Sequence, residues 1–169
     1  MAGYHVHEKA IMTPLLLLTL LTAADPTPAN ARVWLRATAV GHLSLLPLLP
    51  GGILAVGKIA IVAIHWLLCA NAAERAVGAP VLGRWDAVVA GGVLFPVVLF
   101  AEVLHPLFLG EWEGGRFLPL MVQSVVYAGL NLWIWAEVHL LFWREEERGD
   151  DLNERIEQIE TRLGKLKVK

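Results

Sequence analysis

Apolar residues fall into five runs separated by short polar breaks rich in proline and glycine. A hydrocarbon core about 30 Å thick takes roughly 20 helical residues to cross, so the runs at 10–24, 33–49, 53–73, 86–109 and 117–143 read as membrane-directed helices. The last three are long enough to span; the first is short, and the second is both short and interrupted by polar residues. Asp25-Pro26-Thr27-Pro28, Pro50-Gly51-Gly52, Gly78-Ala79-Pro80 and Glu113-Gly114-Gly115 supply the turns between them. Pro47, Pro96 and Pro106 fall within or near helix ends, where they kink a membrane helix rather than end it. The pattern predicts an all-α, polytopic membrane helix bundle over residues 1–143.

Beyond residue 143 the pattern changes. Leu152, Ile156, Ile159, Leu163 and Leu166 line one apolar stripe of a helix in a charged tail, 144–169. Asp151 with Arg155 and Gln158 with Arg162 support it from one turn away, and Gly149-Asp150 offers a break and an N-cap before it. The stripe covers about two heptads, short of the three or four that define a coiled coil. An amphipathic helix lying on the membrane or on this protein, and a short coil that binds itself or a partner chain, both stay open.

Composition places the chain in lipid: mean hydropathy is +0.56 and 56% of residues are hydrophobic. Residues 144–169 hold seven of the fourteen Lys and Arg and eight of the sixteen Asp and Glu, leaving the rest nearly free of charge. With a net charge of −2 and a pI near 6.3 there is no basic stripe to neutralise phosphates, which argues against a nucleic-acid partner. The single cysteine, Cys69, can form no intrachain disulfide and reads as a small buried hydrophobe. If the five segments alternate, Arg32, Arg36, Arg75 and Arg84 fall on the side of Arg144 and Arg148. Lys9, Arg116 and Lys58, with Glu8, Glu111 and Glu113, fall opposite. The positive-inside rule then puts the tail in the cytoplasm and the N-terminal cluster on the lumenal or exterior face. A secretory signal over residues 1–24 is a competing reading, against which Glu8 beside Lys9 removes the usual positive start.

That N-terminal cluster is the first place to look for chemistry. Gly3-Tyr4-His5-Val6-His7-Glu8-Lys9-Ala10-Ile11 sets two imidazoles, a carboxylate and an ammonium against a run of leucines, where membrane enzymes keep interfacial chemistry. His5 and His7 lie on opposite sides of a helix but on one side of an extended segment, so a joint role calls for a non-helical backbone. The cluster is not His-Glu-x-x-His, and Glu102 with His105 makes only one of the two Glu-x-x-His pairs a di-iron bundle needs. No metal and no cofactor are therefore expected. His42, Lys58, His65, Asn71, Glu102, His105, Asn131, Glu137 and His139 interrupt apolar segments and should turn inward or snorkel. Of these, His42 and Glu102 are secondary site candidates.

Residues 3–11 resemble the Gly-Trp-His-Val-His-Glu-Lys-Ala-Ile signature of the endoplasmic-reticulum glucosyltransferases that use dolichyl-phosphate glucose. Residues 41–49, GHLSLLPLL, are similar to the Gly-His-Tyr-Ser-Leu-Phe-Pro-Leu-Leu stretch of the branch that adds the second glucose. Ala101-Glu102-Val103 with Pro106, and Leu118-Pro119-Leu120 with Ser124-Val125-Val126-Tyr127-Ala128, extend the likeness more weakly; the tail lies outside it. The resemblance implies the C-terminal module of a GT-C membrane enzyme, an inverting alpha-1,3-glucosyltransferase of the endoplasmic-reticulum membrane. Its donor would be dolichol-linked glucose, its acceptor a lipid-linked oligosaccharide, and no nucleotide sugar or cofactor would be used. It further implies that Lys9 with His5 or His7 serves the donor phosphate and that Glu8 positions them or the acceptor. The family's general base is an acidic residue in the first lumenal loop of a much longer chain. A truncated product, or half of a split protein that pairs with a missing N-terminal half, is therefore expected, inactive alone. Two other classes explain the spans without the motifs. One is a small membrane scaffold acting through its tail; the other is a transport or lipid-binding bundle using Glu102 and His105.

Overall fold

A computed structural model describes residues 2–48, 54–109, 115 and 117–167, and the side chains of 12–48, 54–109, 115 and 117–144. Every long element is helical, and there is no strand among the described residues. Residues 1–134 and 135–169 form two units, each described by itself.

Helix α1 (Ala2–Ala24) stops where Pro26 biases Asp25 away from helical geometry. Helix α2 (Pro28–Leu45) starts at once, because Thr27 is extended and its hydroxyl accepts from Asn30 N–H at 3.2 Å, with Pro28 at the first helical position. Asn30 Nδ2 donates back to Asp25 O at 3.1 Å, which ties the turn shut. The two helices are pinned further along by Trp34 Nε1, which donates to Thr19 Oγ1 at 2.8 Å. A single 3-10 turn, Leu46–Leu48, ends α2 at Pro47. Helix α3 (Ala55–Val77) packs against α2 through alanines that permit close approach; Ala31, Leu35, Ala70, Ala73 and Val81 form the core cluster. Gly78 closes α3 in the left-handed region, φ 74°, with its N–H on Glu74 O, a conformation only glycine adopts freely.

Helix α4 (Arg84–Phe108) is a composite. Two π turns, Ala90–Leu94 and Phe100–Leu104, interrupt it, and each lies just ahead of a proline, Pro96 and Pro106. Proline has no N–H and its ring crowds the carbonyl four residues back, so the preceding turn widens. Phe95 N–H accordingly reaches Ala90 O, and His105 N–H reaches Phe100 O. At the start of α4, Asp86 accepts from Gly83 N–H at 2.7 Å and pairs with Arg36 Nε at 2.6 Å. The Arg36 guanidinium also lies over the Trp133 ring, 4.8 Å from its centroid, and Arg32 Nε donates to Val81 O at 2.9 Å. This clamp joins α2, the segment before α4, and helix α5 (Leu118–Lys167).

Helix α5 runs straight through Gly149-Asp150, so the expected break does not form. One glycine costs a helix only about 1 kcal/mol relative to alanine, too little to stop it without a proline. Within residues 135–169, the His139 ring lies tilted against Trp135 with 4.1 Å between centroids, and its Nδ1 donates to Trp135 O at 3.0 Å.

Among the described residues, three helices are long and apolar enough to cross a membrane: Ala55–Val77, Arg84–Phe108 and Leu118–Arg144. Within the described side chains α1 contributes the apolar stretch Met12–Ala24, and α2 is too polar. Burial is inverted relative to a water-soluble domain. The more polar α2 is the most deeply covered helix, while Ile61, Leu68, Phe95 and Val125 on its apolar neighbours are exposed. A chain solvated by hydrocarbon has no reason to hide those side chains, whereas one in water would.

Candidate functional site

The widened turn Phe100–Leu104 carries Glu102, and it delivers that carboxylate onto Lys58, in the first turn of α3. Lys58 Nζ lies 2.6 Å from Glu102 Oε2, and each side chain is only 8% exposed. The ammonium also donates to Leu46 O at 3.2 Å. An ion taken out of water costs several kcal/mol, so each of these charges is tolerated because the other is there.

Gln123 and Tyr127 sit one turn apart on the same face of α5, and Tyr127 lies toward Glu102. They are 2% and 4% exposed, and neither Gln123 Nε2 nor Tyr127 OH has a hydrogen-bond partner among the described residues. The Tyr127 hydroxyl lies within electrostatic reach of the Glu102 carboxylate. His42 Nδ1, on α2, is also buried without a hydrogen-bond partner among the described residues. His105 Nε2 donates to Gly115 O at 2.9 Å and its ring meets Phe100 edge-on, so Glu102 and His105 serve different partners. His42 packs edge-on against His65, 4.7 Å between ring centroids, and His65 Nε2 lies 3.4 Å from Cys69 Sγ. Among the described residues no three His, Cys, Asp or Glu side chains converge on a metal-sized site. On the flank, Leu43, Ile59, Trp66, Leu94, Phe95 and Val98 line an apolar groove of about 190 Å³.

The sequence profile described as the ALG6, ALG8 glycosyltransferase family matches residues 1–138. The chain belongs to this glycosyltransferase family. It is 33% identical over 147 residues to the dolichyl pyrophosphate Glc1Man9GlcNAc2 alpha-1,3-glucosyltransferase of Schizosaccharomyces pombe, a match covering 83% of this chain and 27% of that protein. The chain thus spans about a quarter of the curated relative's length. No solved structure matches it.

The family match includes every site candidate read from the sequence. The side chains of His5, His7, Glu8 and Lys9 lie outside the described residues; the backbone there is helical, so the extended segment on which His5 and His7 share a side is not what forms. His42 and Glu102 are both inward-facing, Glu102 in the ion pair and His42 against His65. Lys58 was legible as a charge that turns inward or snorkels, but not as the partner of Glu102. Gln123 carried no signal beyond being polar in an apolar run, and Tyr127 entered only through the family likeness.

Proposed function

We propose that this chain forms part of an enzyme that transfers glucose from dolichyl-phosphate glucose to a lipid-linked oligosaccharide during protein N-glycosylation. The observation that carries the reading is the 33% identity to a named glucosyltransferase across 83% of the chain, a stretch that takes in one or both of the motifs at 3–11 and 41–49. That relative's name specifies an oligosaccharide already bearing one glucose, which supports the alpha-1,3 linkage and addition of the second glucose here. The reaction runs at the lumenal face of the endoplasmic reticulum, with the 3–11 motif lumenal and the tail cytoplasmic. Transfer needs a carboxylate to take the acceptor proton and cationic groups to stabilise the departing lipid phosphate. Lys9, with His5 or His7, suits the second task, and Glu8 orients them or the acceptor. The base belongs to another part of the longer enzyme, so the 169-residue product alone transfers no glucose. The donor carries its own activated sugar, and no cofactor takes part.

The test is substitution in the complete gene product, assayed in membranes with both lipid substrates. Lys9→Ala and His7→Ala should abolish transfer while the protein still accumulates in the membrane; unchanged transfer removes these residues from the site. Glucose transfer by the isolated 169-residue chain would show that the base lies within it.

A further inference from the structure

We infer that Tyr127, which lies toward Glu102, and Gln123 one turn before it form, with the Lys58 and Glu102 pair, a subsite for the hydroxyl groups of a hexose ring. The inference rests on the glucosyl-transfer reading and goes beyond it, because it adds four residues remote in sequence from the N-terminal motif. Two observations point to it independently. The first is the pair of idle donors: an amide 2% exposed and a phenol 4% exposed, one turn apart and without partners among the described residues. Nearly all buried polar groups are satisfied, so two idle on one face mark a place where a partner is missing. The second is helix α4, whose π turn at Phe100–Leu104 carries the Glu102 carboxylate to this spot; such turns recur at functional sites.

The chemistry selects the ligand class. Glu102 accepts hydrogen bonds, whereas the Gln123 amide and the Tyr127 hydroxyl donate them. Neighbouring hydroxyls on a sugar ring do both, so one ring satisfies the whole set. Lys58 and Glu102 at 2.6 Å cancel in charge, which favours a neutral polyhydroxylated ligand over a phosphate. The two idle atoms are sealed from solvent, so entry requires this end of the bundle to part by a side-chain width.

Stability and function should respond with opposite signs. Gln123→Leu and Tyr127→Phe each remove an unsatisfied buried donor, which is neutral or favourable for the fold. In the complete gene product, the double variant should keep or raise its melting temperature while kcat/KM falls at least tenfold through KM. A rise in KM for the donor lipid assigns the subsite to the transferred glucose; a rise for the oligosaccharide assigns it to the acceptor. KM values within twofold for both substrates overturn the proposal and leave a buried water as the partner of these groups. A fall in melting temperature that accounts for the lost activity overturns it too, since the groups would then be supports of the fold. The single Tyr127→Phe, which changes no shape, repeats the test should the double variant misfold. A wild-type protein that transfers no glucose defeats the functional reading instead. Thermal stabilisation by methyl α-glucoside, seen in the wild type and lost in Tyr127→Phe, then upholds the subsite on its own, and an equal response of the two proteins overturns it.

Discussion

A lysine ammonium and a glutamate carboxylate inside an apolar bundle are each costly to desolvate, and mutual attraction offsets that cost only while both are present. Removing one partner therefore hurts more than removing both. Lys58→Met or Glu102→Leu alone should destabilise the bundle by about 3 kcal/mol, and the double variant should recover most of it. Thermal unfolding of the four proteins in one detergent measures this. Additive losses would mean that the pair, 2.6 Å apart and 8% exposed, is not where the stability resides. Each charge was legible from the sequence as a group that turns inward or snorkels, because a lone Lys or Glu in an apolar run is costly facing lipid. Their pairing was not, since residues 44 positions apart meet only once the helices have packed.

What Glu102 reaches depends on the shape of the helix that carries it. Pro96 and Pro106 announce irregularity in α4, yet the form it takes, a π turn ahead of each, depends on how the freed carbonyls and the packed side chains settle. Inserting one residue's worth of turn rotates everything beyond it by roughly 100° about the helix axis. Pro106→Ala restores the missing donor and should return residues 100–104 to regular α geometry, turning Glu102 off Lys58. In a double-mutant cycle, the coupling between Lys58 and Glu102 should drop to a small fraction of its value in the Pro106 background; coupling of unchanged size would show that the π turn does not aim the carboxylate. The Gly149 site teaches the converse. A glycine that reads as a helix break is carried through when no proline follows it.

Across the molecule, the ends of α2 and α4 meet the starts of α3 and α5 in one polar cluster, while Arg32, Arg36 and Asp86 hold the other end. Basic residues at the second end and the positive-inside rule predict that the first faces the lumen. An N-glycosylation acceptor sequence, placed on a long insert at residue 51, should be modified in cells, and the same insert at residue 80 should not; the reverse pattern would invert the topology. The sequence by itself determined the all-helical membrane class, the turns at 25–28 and 78–80, and the family, because hydropathy, turn chemistry and local motifs are properties of contiguous residues. Three matters were left to the tertiary structure. They are that polar α2 is the helix most deeply covered, that Glu102 spends its charge on Lys58 rather than with His105, and that Gln123 and Tyr127 stand idle on α5. The physical reason is common to all three: burial and pairing are settled between helices, where a buried charge takes the partner that packing brings within 3 Å.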